Sequence, residues 1–239
     1  MIPLRDDNPT TIQPVLCIGL IAVNILVFLY QSTLGQQFEQ IFVYRYGAIP
    51  AVLFGVETLP PEVQVLPTTL SLITSMFLHG GFMHLAGNML YLWIFGNNIE
   101  DVMGHSRFIL FYVLTGIIAA MSHALIDSAS VVPMIGASGA ISGILGAYLL
   151  LYPHAKVLVL IPFGFFTRLM HIRAGWVLGF WFVMQVLSGG MSAGRGGGGV
   201  AWFAHIGGFL AGMALIGLFK YPHIRFFNPA PSQFRRWDR

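Results

Sequence analysis

Apolar residues in this chain are concentrated in six long runs, separated by polar, proline-rich or glycine-rich segments. The runs cover about Val15 to Leu34, Gly81 to Asn98, Phe108 to Ile126, Ser138 to Tyr152, Ala174 to Ser188 and Trp202 to Tyr221. A helix that crosses a bilayer needs about 20 mostly apolar residues. The pattern therefore predicts six membrane-spanning helices, of which the second and fourth are short.

Three of the connecting segments have a composition that predicts their structure. Gly35 to Leu78 is too broken by proline to span and too apolar for a solvated loop, so we predict a long interfacial loop with short helices. Lys156 to Arg173 contains an apolar stretch of ten residues, Val157 to Phe166, which is short for a span and is predicted to lie at the interface. Gly189 to Gly199 has seven glycines in eleven residues and is predicted to be mobile.

The composition agrees with a membrane protein. Hydrophobic residues make up 56% of the 239 residues and charged residues only 9%, against roughly 25% charged residues in soluble domains. The spans leave no room for a large soluble domain, which predicts a single membrane-embedded domain over residues 1–239 with a short N-terminal segment and a C-terminal tail. The net charge of +3 is scattered, so no nucleic-acid partner is expected, and a single cysteine excludes an internal disulfide.

The basic residues predict the orientation of the chain. In a six-span arrangement, ten Lys and Arg residues fall on the side of the two termini and two, Arg45 and Arg195, on the other side. The positive-inside rule then places both termini in the cytoplasm. The first apolar run has neither a basic leader nor a small-residue cleavage site and is read as a retained helix. Together these features favour a bacterial plasma membrane.

Polar residues within the spans form three clusters, which contain His84 and Asn88, Ser138, and His205. Each cluster lies near the start of an even-numbered helix, and all even-numbered helices run from outside to inside. At 1.5 Å per residue, the clusters share a layer roughly 5 to 10 Å below the helix starts. Polar groups in such a position are costly unless they are paired or functional.

A hydroxyl and an imidazole in one layer could perform nucleophilic acyl transfer, with His205 activating Ser138. The two helices must then pack closely, and both carry small residues that permit this: Gly139, Gly143 and Gly146 in one, Gly208 and Gly212 in the other. His84 and Asn88, one turn apart, are suitably placed with the Ser138 N–H to stabilise an oxyanion.

Each cluster also has a simpler interpretation. A serine near a helix start is commonly an N-cap, and a buried histidine can bond a neighbouring helix. Two histidines and an asparagine could line an ion path or bind a metal, although the spans contain neither HExxH nor another clustered carboxylate–histidine set. The three clusters together are a more specific signal than any one of them.

These residues resemble those of the rhomboid intramembrane serine proteases, over about residues 41 to 218. The matching motifs are His79-Gly80-Gly81-Phe82-Met83-His84-Leu85-Ala86-Gly87-Asn88, Gly136-Ala137-Ser138-Gly139-Ala140, and Ala204-His205-Ile206-Gly207-Gly208 with Gly212. Weaker matches are Tyr46-Gly47-Ala48-Ile49-Pro50 and Glu100-Asp101-Val102-Met103-Gly104. The sequence departs from well-known bacterial members at two places: a Trp-Arg pair of the first loop is missing, and Ser142 stands where they have a tyrosine.

The resemblance implies an all-α polytopic membrane protein with a six-helix, rhomboid-like bundle. It implies that Ser138 is the nucleophile and His205 the general base of a dyad without an aspartate. His84, Asn88 and the Ser138 N–H would form the oxyanion hole, and Glu100 would be structural. The family cleaves transmembrane segments of other proteins in or near the lipid bilayer, without metal or cofactor.

A protein of a different class remains the alternative: a non-catalytic six-helix membrane protein, either a client-binding relative or a carrier. If the protein is a protease, its substrate must reach the site sideways from lipid. The fifth helix, with its bulky Trp176, Phe180 and Trp181, is then the expected gate, with the glycines of Gly189 to Gly199 as the hinge, unless these aromatic side chains simply face lipid.

Overall fold

The computed structural model describes residues 1–163, 166–192 and 200–228, and within them the protein is mostly helical. In chain order the strands and α-helices are β1 (Ile2–Asp6), α1 (Val15–Thr33), α2 (Gln36–Tyr46), α3 (Pro50–Leu53), α4 (Ser71–Thr74), α5 (Phe82–Tyr91), α6 (Asn97–Met103), α7 (His105–Ile126), α8 (Ser138–Leu151), β2 (Lys156–Phe163), β3 (Phe166–Arg173), α9 (Ala174–Ser192) and α10 (Trp202–Phe219). A π-helical turn, Leu92–Gly96, joins α5 to α6 into one continuous helical path.

Four of these helices, α1, α7, α9 and α10, are long and apolar enough to cross a membrane. Helix α8 is apolar but has only 14 residues. Eleven of the 14 are buried, because the other helices surround α8. A short apolar helix is therefore the central one, and it needs little contact with lipid of its own.

Helices α8 and α10 pack backbone against backbone along a row of glycines. A Cβ atom placed on Gly208 would lie 2.1 Å from the carbonyl oxygen of Gly139, and one on Gly212 would lie 1.9 Å from the carbonyl oxygen of Gly143. A Cβ atom on Gly146 would likewise lie 2.1 Å from the Phe209 carbonyl oxygen. Only residues without a side chain permit this approach, which fixes the distance between the two helices.

The structure corrects the all-α prediction, because the chain also forms a three-stranded antiparallel sheet in the order β1-β2-β3. The segment Lys156 to Arg173 is the β2–β3 hairpin, and β1 from the N-terminus pairs with β2 through Ile2 opposite Leu160 and Asp6 opposite Val157. Val157 and Val159 are buried, whereas Lys156, the first residue of β2, is exposed. The alternating, β-branched start of the segment is typical of a half-buried strand.

The segment expected to be a mobile glycine hinge begins as helix. Gly189 to Ser192 form the last turn of α9, and Gly189 is buried against Trp202. The remainder of that segment, residues 193–199, lies outside the described residues.

A distant carboxylate caps the first long helix. Pro14 precedes α1 and offers no side-chain cap. Instead, the fully buried Glu100 accepts hydrogen bonds from the backbone N–H groups of Leu16 (3.0 Å) and Cys17 (2.8 Å), and it also contacts His105. The first N–H groups of a helix have no intrahelical acceptor and attract negative charge. Glu100 thus joins the start of α1 to the middle of α6.

Replacing Glu100 with glutamine is expected to destabilise the protein, because an amide has one accepting oxygen where the carboxylate has two. The free energy of unfolding should fall by about 1–3 kcal/mol, as measured by denaturation in detergent. Glu57→Gln is the matched control, since Glu57 is exposed. Equal stability of the two variants would show that the cap contributes nothing.

The N-terminal strand is held by a second carboxyl group. Tyr148 donates a hydrogen bond to Asp6, and Asp7 accepts one from the Lys156 N–H at 2.7 Å. Burial raises the pKa of Asp6 to about 6, although the Tyr148 hydrogen bond acts in the opposite direction. The folded protein therefore favours protonated Asp6 more than the unfolded chain does.

Stability should consequently decrease as the pH rises. The contribution from protonated Asp6 is complete below about pH 4 and is lost as the pH passes through about 6. Asp6→Asn removes the buried charge, so it should be more stable than the wild type at pH 8 by on the order of 1–2 kcal/mol, a few degrees in Tm. Thermal unfolding from pH 4 to pH 8 measures this difference, and a wild type that is the more stable protein at pH 8 would contradict the prediction.

Candidate active site

Ser138 and His205 meet where α8 begins. Ser138 is the first residue of α8, and His205 lies in the first turn of α10. The close glycine contacts of the two helices bring the side chains together, and His205 Nε2 lies 2.8 Å from Ser138 Oγ. Both residues are half-buried, so a reacting group can still reach them. This is the hydrogen bond that a nucleophilic serine and its base require.

Gly136 shapes the bend that leads into α8. Its φ of +120° lies in a region that disfavours side chains, and its N–H donates to the Ser75 carbonyl at 2.8 Å. A Cβ atom on Gly136 would lie 2.8 Å from His84 Nε2 and 3.7 Å from Asn88 Nδ2. The structure thus places both α5 side chains beside the bend, two residues before Ser138.

Among the described residues, His84 and Asn88 each keep a nitrogen donor without a hydrogen-bond partner beside the Gly136 bend. Gly80 N–H donates to His84 Nδ1 at 3.3 Å. In the neutral ring Nε2 then carries the hydrogen, and Nε2 lies on the side of the ring that faces the Gly136 bend. Within the described residues the buried Asn88 Nδ2 has no hydrogen-bond partner. A buried, unpaired amide donor is costly unless it serves a ligand or a transient charge.

The structure adds one polar side chain that the sequence analysis missed. Gln185 of α9 is buried, and its Oε1 lies 2.8 Å from His205 Nδ1. The available signal was a glutamine within an apolar span, where polar residues are rare and usually face the bundle interior.

The three aromatic residues predicted to gate the site do not all face the same way. Trp176 and Phe180 face outward, with 74% and 55% of their surfaces exposed. Trp181 faces inward, and its ring centroid lies 5.9 Å from that of His205. Ser142, at the position of the family's tyrosine, donates instead to the Ser138 carbonyl at 2.6 Å. Trp181 is thus an aromatic neighbour of the imidazole, and gating by α9 stays a prediction.

Metal ligands do not gather near this site. Across residues 1–163, 166–192 and 200–228, no group of three or more His, Cys, Asp or Glu side chains could hold a metal ion. Glu100 lies at the other end of the α5–α6 path, where it contacts the start of α1.

Comparison with known protein families decides what kind of protein carries this site. The model of the Rhomboid domain matches residues 67–222, well over half of the chain. This protein belongs to the rhomboid family. It is therefore an integral membrane protein with several spans, and the match includes the α5, α8 and α10 side chains described above.

Three relatives illustrate the range of the rhomboid family. Rhomboid protein 1, mitochondrial, of Saccharomyces cerevisiae is 34% identical over 134 residues, which is 50% of this chain and 39% of the yeast protein. Rhomboid protease GluP of Bacillus subtilis is 44% identical over 78 residues, or 33% of this chain and 15% of GluP. Presenilin-associated rhomboid-like protein, mitochondrial, of Homo sapiens is 28% identical over 152 residues, or 62% of this chain and 36% of the human protein.

The aligned regions thus span less than half of each of these relatives. One relative is named a protease, whereas the names of the other two record family membership and a mitochondrial location. Family membership alone consequently leaves the activity of this rhomboid to be argued from its own residues.

Proposed function

We propose that this protein is an intramembrane serine endopeptidase that cleaves transmembrane segments of membrane-protein substrates. The observation that carries the proposal is the 2.8 Å contact between Ser138 Oγ and His205 Nε2, made by residues from different spans. The glycine row behind this contact supports it, because α8 and α10 could not approach so closely with side chains at Gly208 and Gly212.

The reaction would proceed in two halves. Ser138 Oγ attacks the scissile carbonyl carbon while His205 Nε2 accepts the hydroxyl proton, and the protonated imidazole then gives that proton to the leaving amine. A water molecule next attacks the acyl-enzyme and passes a proton to His205. The collapse of the second intermediate releases the carboxylate product and restores the serine hydroxyl.

Negative charge develops on the carbonyl oxygen in both halves, and three donors would stabilise it. They are Asn88 Nδ2, His84 Nε2–H and the backbone N–H of Ser138, which belongs to the first turn of α8 and so needs an acceptor from outside the helix. The free amide of Asn88 supports this role.

Removal of the Asn88 donor should reduce turnover much more than substrate binding. Loss of one such donor lowers kcat about 100- to 1,000-fold, so Asn88→Ala is expected to show this decrease with little change in KM. Asn97→Ala is the control, because Asn97 lies nine positions further along the same helical path. If only KM changed, Asn88 would be a substrate-positioning residue instead.

We further propose that the protein is one membrane-embedded domain with six spans, with the α5–α6 path and α8 added to the four long helices. Helix α8 is about 21 Å long, against roughly 30 Å for the hydrocarbon core. If α8 ends level with its neighbours at the inner surface, Ser138 lies below the outer surface. The excess of Lys and Arg on the side of the two termini supports cytoplasmic termini, with the loop from α2 to α4 at the outer interface. Labelling of single cysteines from each side of the membrane tests the orientation.

Reaction with a fluorophosphonate probe tests the proposed activity. The probe modifies a serine whose hydroxyl is activated by a base, so mass spectrometry should find the adduct on Ser138. Wild-type protein should also cleave a reconstituted transmembrane substrate. Absence of both reactions in folded protein would favour the non-catalytic alternative.

A further inference from the structure

We infer that Gln185 positions His205 for catalysis, so that the working site is a Ser138–His205–Gln185 triad. This inference rests on the proposed function, because a positioning residue requires a reaction to serve. It concerns the imidazole nitrogen that does not face the serine.

Both ring nitrogens of His205 have a partner. Nε2 lies 2.8 Å from Ser138 Oγ, and Nδ1 lies 2.8 Å from Gln185 Oε1. Gln185 is only 6% exposed and lies on the buried side of α9, seven residues after the buried Leu178 and four before Gly189. The imidazole is thus held between α8 and α9 while its own backbone belongs to α10.

A second hydrogen bond fixes the orientation of the Gln185 amide. Its Nε2 donates to the carbonyl oxygen of Trp181, one turn earlier in α9, at 3.2 Å. A carbonyl oxygen can only accept, so the amide nitrogen must face Trp181 and the amide oxygen must face His205. The alternative, with the amide reversed, would place two oxygens against each other.

The amide orientation in turn determines the tautomer of His205. Because Gln185 Oε1 only accepts, Nδ1 must carry the hydrogen of the neutral ring, and Nε2 must present its lone pair to the Ser138 hydroxyl. This is the form that a general base needs. In serine and cysteine proteases the third residue, an aspartate or an asparagine, holds the imidazole in the same way.

A neutral amide suits this position better than a carboxylate would. A buried charge within the membrane is costly, whereas an amide oxygen orients the ring without a net charge. Among the described residues, the titratable side chains that influence the protonation of His205 are His84 of α5 and His123 of α7, and neither is a carboxylate. With no carboxylate in this position, the amide oxygen of Gln185 is the group that accepts the hydrogen bond from His205 Nδ1.

The kinetic test compares Gln185→Leu with Gln185→Glu. Leucine is similar in size but accepts no hydrogen bond, so kcat and the rate of fluorophosphonate labelling should fall together by about 10- to 100-fold, with KM little changed. Glutamate keeps an accepting oxygen and should restore most of the rate. Its charge also stabilises the protonated imidazole, so the acid side of the pH–rate profile should move to higher pH. Val186→Ala, a change of an exposed neighbour on the same helix, should behave as wild type.

A spectroscopic test needs no substrate. Nitrogen NMR of the protein with ¹⁵N-labelled histidine should show His205 with a protonated Nδ1 and an unprotonated Nε2, and Gln185→Leu should convert this signal to a mixture of tautomers. A wild type that reacts with the probe while Gln185→Leu reacts equally fast, with an unchanged spectrum, would overturn the inference and leave the protease intact. A wild type that shows the expected tautomer but neither reacts nor cleaves would overturn the proposed function instead.

Discussion

Cleavage of a transmembrane substrate is expected to fall to background when Ser138 is replaced by alanine. The change removes the hydroxyl oxygen that lies 2.8 Å from His205 Nε2, and with it the atom that would form the acyl-enzyme. Folding should be preserved, because the hydroxyl makes no other hydrogen bond among the described residues and alanine favours helix at least as well. The measurement is turnover of purified, reconstituted protein with its Tm as the folding control.

Two companion variants sharpen this test. Ser142→Ala removes a hydroxyl one turn away that bonds to the Ser138 carbonyl, and it should retain most of the activity. His205→Ala should be as inactive as Ser138→Ala, and the double variant no worse than either, because residues that act as one unit are not additive. Residual turnover by folded Ser138→Ala protein would remove Ser138 from the mechanism.

The second large effect is expected at Gly212. An added methyl group would lie 1.9 Å from the Gly143 carbonyl oxygen, a backbone atom that cannot turn aside. Helices α8 and α10 must then separate by about 1 Å, and a displacement of that size in a reacting pair can cost about 100-fold in rate. Gly212→Ala should therefore lose at least this factor in fluorophosphonate labelling, together with about 1–3 kcal/mol of stability through overpacking.

The same substitution five residues later provides the control. Gly217 also lies in α10, but among the described residues a Cβ atom there would meet nothing closer than Phe226 at 3.6 Å, an ordinary contact. Gly217→Ala should thus keep the wild-type Tm and labelling rate. If the two alanine variants behave alike, the close backbone contact at Gly212 does not hold the site together.

The parts of the fold that could be predicted are those that depend on neighbouring residues in the sequence. Helix α1 begins at the predicted Val15 and α8 at the predicted Ser138, because each apolar run has a clear polar or glycine boundary. The sheet could not be predicted in this way, since β1 and β2 are about 150 residues apart and neither strand alone indicates its partner.

The residues of the candidate site likewise differ in whether the sequence alone could predict them. Ser138 and His205 were predicted to share a layer because both are polar residues near the starts of apolar helices, and the structure places their side chains 2.8 Å apart. Gln185 carried only the weak signal of one amide in a span. Its contact with His205 depends on the rotation of α9 about its axis, which a single sequence does not specify. The roles of these residues in catalysis stay predictions until the variants are measured.

The glycine row between α8 and α10 has a consequence for protein engineering. The spacing of Ser138 and His205 is set by contacts between backbones, whereas large apolar side chains such as Leu26, Leu125 and Leu218 point away from the bundle and are more than half exposed. The distance between Ser138 and His205 should therefore tolerate substitutions at such outward positions. Polar replacements at these three leucines are thus expected to change the outer surface while the serine and histidine remain within hydrogen-bonding distance.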